Sequence, residues 1–233
     1  MLIKQLQEKQ KKLNQKSDFY TAGGLHVYFK DPVLNDDIDV ERVINKVEDT
    51  VPGHLLNEIE MIVIGQFEEF QERSINAFYD GAAIYISNMQ DDESDLYDDI
   101  VHEISHSIEE PYGYEIYGDE KIKNEFLQKR KRMHDILWAR GFKAPMSFFS
   151  DTEYNEEFDE FLHKKIGYDK LANLIRGLFI SPYAATSLRE YFATGFTDFY
   201  VFSDHGPLRI IVPELYKKIS AIQNPEINDN INF

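Results

Sequence analysis

The sequence predicts an α+β fold, with a small N-terminal sheet and its helices leading into a helical C-terminal lobe. Three observations carry the prediction. Apolar runs of strand length, such as Ile59 to Phe67 (IEMIVIGQF), lie before residue 90. Beyond Tyr97 the apolar residues recur at three- and four-residue spacing, the period of helices. The junction of the two patterns carries His-Glu-x-x-His at His102, Glu103 and His106.

At 233 residues the chain suits one domain or two closely packed lobes around a full hydrophobic core. Residues 1–17 hold five Lys against one Glu, the reverse of the rest of the chain. The expected division is a basic arm or helix over 1–20 and one domain over 21–233, with lobes of about 21–110 and 111–233. No run approaches the roughly 18 apolar residues of a membrane span, and the start lacks a Sec signal pattern. The expectation is a soluble protein, cytoplasmic unless another export route or packaging in a virion moves it. There are no cysteines, so any metal rests on His and carboxylate ligands. A formal charge of -17 argues against a nucleic-acid partner and suits a basic protein or peptide substrate. No feature sets an oligomeric state.

In chain order, Leu25 to Phe29 reads as a first strand. Val40, Val43, Ile44 and Val47 keep helical spacing from Asp39 and stop before Pro52-Gly53. Ile59 to Phe67 is a buried strand, and Glu68 to Arg73 a charged turn. Ile75 to Tyr79 and Ala82 to Ser87 form a hairpin about Asp80-Gly81, with Ala82 to Ser87 as a sheet edge open to an extended peptide. Pro111 and Gly113 break the next helix, and a tyrosine-rich connection follows. Helices are then expected over about 119–140, closed by Gly141, and over 155–166, 168–179, 187–202 and 213–222. The basic run Lys129 to Arg132 reads as a solvated helix face.

Helical geometry gives the His-Glu-x-x-His stretch its chemistry. Residues four apart stand one turn above each other, so His102 and His106 can offer two imidazole nitrogens to one zinc ion. Glu103, one step round, can take a proton from a water whose pKa zinc lowers. Leu96, Ile100, Ile104 and Ile108 recur every four residues, with Ile100 about 200° from His102, so one face is core and the other is free for a site. Ser94 or Asp95 is the expected cap.

A catalytic zinc takes three protein ligands. Glu109 and Tyr112 stand where a metzincin has Gly and its third His, which excludes that class. Glu190 is the candidate third ligand and Asp198 the next, with Asp198 or Thr194 a possible partner for a ligand histidine's other nitrogen. Ser187-Leu188-Arg189-Glu190 also matches a capping box, in which the Glu190 carboxylate serves a backbone amide instead. Tyr183 lies seven residues before Glu190, where a phenol could stabilise a tetrahedral oxyanion, or simply sit in the core. His26, His54, His134, His163 and His205 lack ligand spacing to one another.

With Tyr seven residues before Glu, then Glu-Tyr-Phe-Ala-x-Gly-Phe, the segment Tyr183 to Phe196 resembles the anthrax lethal factor-type zinc metallopeptidase family, which includes the Pro-Pro endopeptidases. Ser203-Asp204-His205, Leu208, Pro213 and a terminal amphipathic helix follow in similar order, so the resemblance spans about Ala82 to Ile222. It implies a zincin-like fold, zinc held by His102, His106 and Glu190, Glu103 as general base, and Tyr183 as oxyanion stabiliser. Ser105 stands where the family has Gly, and the interval from His106 to Glu190 is longer than usual.

The expected function is therefore a zinc endopeptidase with its metal in a cleft between the lobes. The alternatives are a zincin-fold structural or binding protein, such as a virion or toxin component with little turnover, and a zinc hydrolase acting on something other than peptide.

Overall fold

The computed structural model describes residues 18–73 and 75–224, so the expected basic arm lies almost wholly outside the described residues. The described chain is α+β, and none of its helices is long and apolar enough to cross a membrane. It divides into two compact units, one ending at Ile108 and the other beginning at Glu109.

In the first unit the strands β1 (Phe19–Tyr20) and β2 (His26–Phe29) precede the helix α1 (Val40–Thr50). Next come β3 (Met61–Gly65), the short helix α2 (Glu68–Arg73), the hairpin β4 (Ala77–Asp80) and β5 (Ala83–Ser87), and the helix α3 (Glu93–Ser107). The sheet order is β1-β2-β3-β5-β4, with β2, β3 and β5 parallel and the outer strands antiparallel. The register sets Val27 beside Ile62 beside Ile84, and Ile64 beside Ile86, on one buried face. Asp39 caps α1 through the Arg42 amide, and Val40, Val43, Ile44 and Val47 are its buried side. α3 packs against α1, β4 and β5.

Two expectations need correction here. Ala82 to Ser87 is not an edge: β5 is hydrogen-bonded on both sides, to β3 and to β4, so the free edge beside it is β4. Glu68 to Arg73 is a helix, with Phe70 turned into the core and acidic Glu68 and Glu69 at its positive end.

The second unit is helical: α4 (Glu109–Tyr117), α5 (Lys121–Ala139), α6 (Met146–Ser150), α7 (Glu156–Glu160) running into a π-helical turn (Phe161–Ile166), and α8 (Tyr168–Leu174). A 3₁₀ turn (Tyr183–Ala185) then leads into α9 (Leu188–Val201), α10 (Gly206–Ile211) and α11 (Pro213–Gln223). The tyrosine-rich connection is α4 itself. Pro111 is tolerated because it falls in the first turn, where amides have no carbonyl partner within the helix. Gly141, at φ 86°, ends α5 as expected. α8 stops at Leu174, short of the expected 179, where the chain turns towards Gly177 with φ 76°.

The core of this unit is aromatic, with Phe126 and Phe179 against Tyr191, and Phe192 near Phe196. Tyr191 donates its hydroxyl to Glu125 at 2.8 Å, and the same carboxylate accepts from the Glu214 amide at 3.0 Å, capping the start of α11. Gly195 lets α9 and α11 close up, since a Cβ there would lie 2.3 Å from Leu215.

The β4–β5 hairpin turns through Gly81 (φ 56°) and Ala82 (φ 66°), the two positive φ values of a type I′ turn. Glycine suits this conformation, whereas alanine in the left-handed region is strained by about 1 kcal/mol. Ala82→Gly is therefore expected to raise stability by up to about 1 kcal/mol, read as a higher denaturant midpoint at unchanged slope.

Candidate metal centre

The helix α3 starts at Asp92, whose Oδ1 accepts from the amides of Ser94 (2.7 Å) and Asp95 (3.1 Å). Asp92 thus takes the place expected of Ser94 or Asp95. Leu96, Ile100, Ile104 and Ile108 are fully buried, which fixes the rotation of the helix about its axis. His102 and His106 consequently share the other side, half-buried, with ring centroids 5.0 Å apart and planes at 82°. Glu103, between them in sequence, is only 7% exposed. Ser105 is fully buried and donates its hydroxyl back to the His102 carbonyl at 2.6 Å, so its polar group is satisfied within the helix.

Ser187 caps α9, its Oγ accepting from the Glu190 amide at 3.0 Å. The cap engages the backbone of Glu190. Its carboxylate joins the histidines: His102, His106 and Glu190 each offer one ligand atom, and these atoms lie within 4.8 Å of one another. Tetrahedral zinc with bonds of about 2.1 Å would hold its ligand atoms about 3.4 Å apart, which lies within the 4.8 Å over which these three atoms are gathered. Two imidazoles and one carboxylate, half-buried and without thiolate, form a donor set that suits zinc and several other divalent transition ions.

Among the described residues, the other histidines do not join this group. Asp198 is outside the three; burial raises its pKa, opposed by His205. His205 stacks on Phe199 at 4.2 Å and bonds its carbonyl at 2.9 Å. His26 stacks on Tyr20, His134 pairs with Asp135, and His163 lies against Tyr168. Thr194 is half-buried on α9. Tyr183 begins the 3₁₀ turn ahead of α9, with 36% of its surface exposed and its carbonyl bonded by the Thr186 amide and hydroxyl.

Some polar groups around these elements make contacts that the sequence did not reveal. Asp99, one turn ahead of Glu103 on α3, accepts from Gln90 at 3.0 Å, and Gln90 also donates to the Ser87 carbonyl. In the second unit Glu109 accepts from the Tyr117 hydroxyl (2.6 Å) and from Arg189, the neighbour of Glu190. Arg130, expected on a solvated face, is 1% exposed. The signal was present in the spacing: Ile122, Phe126, Arg130, Met133 and Leu137 make the buried stripe of α5, while Lys131 and Arg132 are solvated. Burial lowers the Arg130 pKa and Asp151 opposes it; a guanidinium, intrinsically above about 12, remains charged at neutral pH.

No protein-family model matches this chain, and neither the curated proteins nor the solved structures compared with it include a match.

Two expected outcomes follow from the geometry. Ser187→Ala removes the cap and should cost about 1 kcal/mol of stability while leaving metal binding intact. Glu190→Gln keeps the backbone cap and removes the charge, so metal affinity should fall sharply with little change in metal-free stability; titration against a competing chelator reads the difference.

Burial pushes the Asp99 carboxyl up to about 6, with the Gln90 bond opposing it. In the unfolded chain this group titrates near about 3.9. Between about pH 4 and 6 the folded chain holds a proton the unfolded chain has lost, so stability falls as pH rises through that window. Above it the penalty stands in full, on the order of 2 to 3 kcal/mol. Metal-free Asp99→Asn should therefore be more stable than the parent at pH 7 and lack this slope, in denaturant titrations across the range.

Proposed function

We propose that this chain is a zinc-dependent endopeptidase with a zincin-like fold, similar to the lethal factor-type family. The observation that supports the reading is the convergence of His102, His106 and Glu190, with Glu103 buried beside the histidines in sequence. When bound, zinc lowers the pKa of a water and polarises a carbonyl.

The protein's own groups do the remaining work. Glu103 takes a proton from the attacking water and hands it to the leaving amine, so that the C–N bond breaks as an amine rather than an amide anion. The Tyr183 phenol donates a hydrogen bond to the oxyanion that forms on the former carbonyl. An extended substrate pairs with a strand edge, and the edge strand next to β5 is β4, Ala77–Asp80. The excess of acidic residues favours a peptide carrying basic residues.

Zinc-loaded protein is expected to cleave members of a broad peptide library, to lose activity on chelation and to regain it with zinc. Glu103→Gln should keep the metal and the fold while kcat falls by about 10²-fold or more. Normal cleavage by Glu103→Gln refutes the assigned base. A parent protein that takes up no zinc overturns the peptidase reading altogether.

A further inference from the structure

Among the described residues Arg130 is the largest fully buried side chain, and its guanidinium hydrogen bonds all go to backbone carbonyls. Its Nη1 donates to the carbonyls of Ala185 and, at 3.1 Å, Thr186. Its Nη2 donates to the carbonyls of Phe148 and, at 3.4 Å, Asp151. The guanidinium carbon lies 4.2 Å from the Phe158 ring centroid and 5.1 Å from that of Phe126. The four carbonyls come from two places, the end of α6 and the end of the 3₁₀ turn that carries Tyr183. Both are helical C-termini, where carbonyls lack amide partners within the helix and carry partial negative charge. One cation therefore closes two helical ends. The Leu188 amide, donating to the Thr152 carbonyl at 2.8 Å, ties the same two segments just ahead of Glu190.

We infer that Arg130 is a positioning residue: by locking the 3₁₀ turn to the end of α6, it holds Tyr183 and the start of the Glu190 helix in place for the chemistry. The inference rests on the endopeptidase reading for the roles of Tyr183 and Glu190. It also assigns work to the long interval between His106 and Tyr183, because α5, α6 and α7 supply the cation, two of its carbonyls and the Phe158 ring face. A lysine at 130 keeps the charge but is a point donor on a flexible stem, unable to span both carbonyl pairs with a planar fork.

The test compares Arg130→Lys with the parent, each with Glu190 present and with Glu190→Gln. In metal-free protein, amide exchange over residues 184–188 should quicken by about tenfold, with the global helical signal unchanged. Zinc affinity, from chelator competition, should fall by about fivefold when Glu190 is present and no further in Glu190→Gln, because the effect acts through that carboxylate. On peptide substrate kcat should fall by about 10- to 100-fold with little change in KM.

Unchanged exchange at 184–188 overturns the inference, and so does an equal loss of zinc affinity in both backgrounds, which is the mark of a merely structural residue. If Arg130→Lys does not fold, Phe158→Leu removes one ring face while leaving every guanidinium bond. It must show the same Glu190-dependent loss at smaller size, and its absence overturns the inference. A parent that binds zinc but cleaves nothing refutes the endopeptidase reading alone, since the exchange and affinity measurements still decide the role of Arg130.

Discussion

The rest of the candidate centre depends on the packing of α3. Burying Leu96, Ile100, Ile104 and Ile108 is worth about 1.5 to 3 kcal/mol for each side chain, and all four must face the same way to realise it. Rotating the helix by one residue, about 100°, would expose that stripe and bury imidazoles in its place. The core therefore fixes the direction of His102 and His106 before any ion arrives. Such preorganisation matters for a metal site, because ligands already ordered by packing do not lose further rotational freedom on binding. The same rotation takes Glu103 out of solvent, one step round from its neighbour.

Glu190 shows how two readings of one residue need not compete. A capping box and a ligand both draw on position three of a helix, and the spacing from Ser187 satisfies either. In the folded chain the Glu190 amide lies against Ser187 Oγ while its carboxylate lies with the two histidines. The first turn of a helix also favours negative charge, by about 0.3 to 1 kcal/mol at exposed sites, so the position itself steadies an ionised carboxylate.

Periodicity and caps made α1, α3, α5, α9 and α11 legible to within a few residues, along with β3 and the β4–β5 hairpin. These elements announce themselves locally, through apolar spacing, a capping side chain, or Gly81 and Gly141 at positive φ. Strand order is not a local property. Both arms of a hairpin look alike in sequence, and only the crossover from β3 decides that β5 pairs inward and leaves β4 at the edge. The short helix α2 spans too few turns for a period to register, and Pro111 reads as a breaker unless the break at Ile108, which puts it in a first turn, is known. Glu190 stood out only through motif spacing, because the two histidines it joins lie far away in sequence.

Arg130 belongs to the class of residue that charge misplaces. Taking a guanidinium out of water costs several kcal/mol, and an apolar side chain of similar volume would avoid that cost. An apolar residue would, however, leave four carbonyls at two helical ends without donors, each at about 1 to 3 kcal/mol when buried. Hydrogen bonds from a charged donor recover about 1.5 to 3 kcal/mol each, and the Phe158 and Phe126 faces add an attraction of about 1 kcal/mol or more. The buried Nε, which has no hydrogen-bond partner, subtracts from that recovery, so the cation is held by the convergence of two helical ends at this point. Elsewhere on α5, where no such ends converge, Lys131 and Arg132 remain in water.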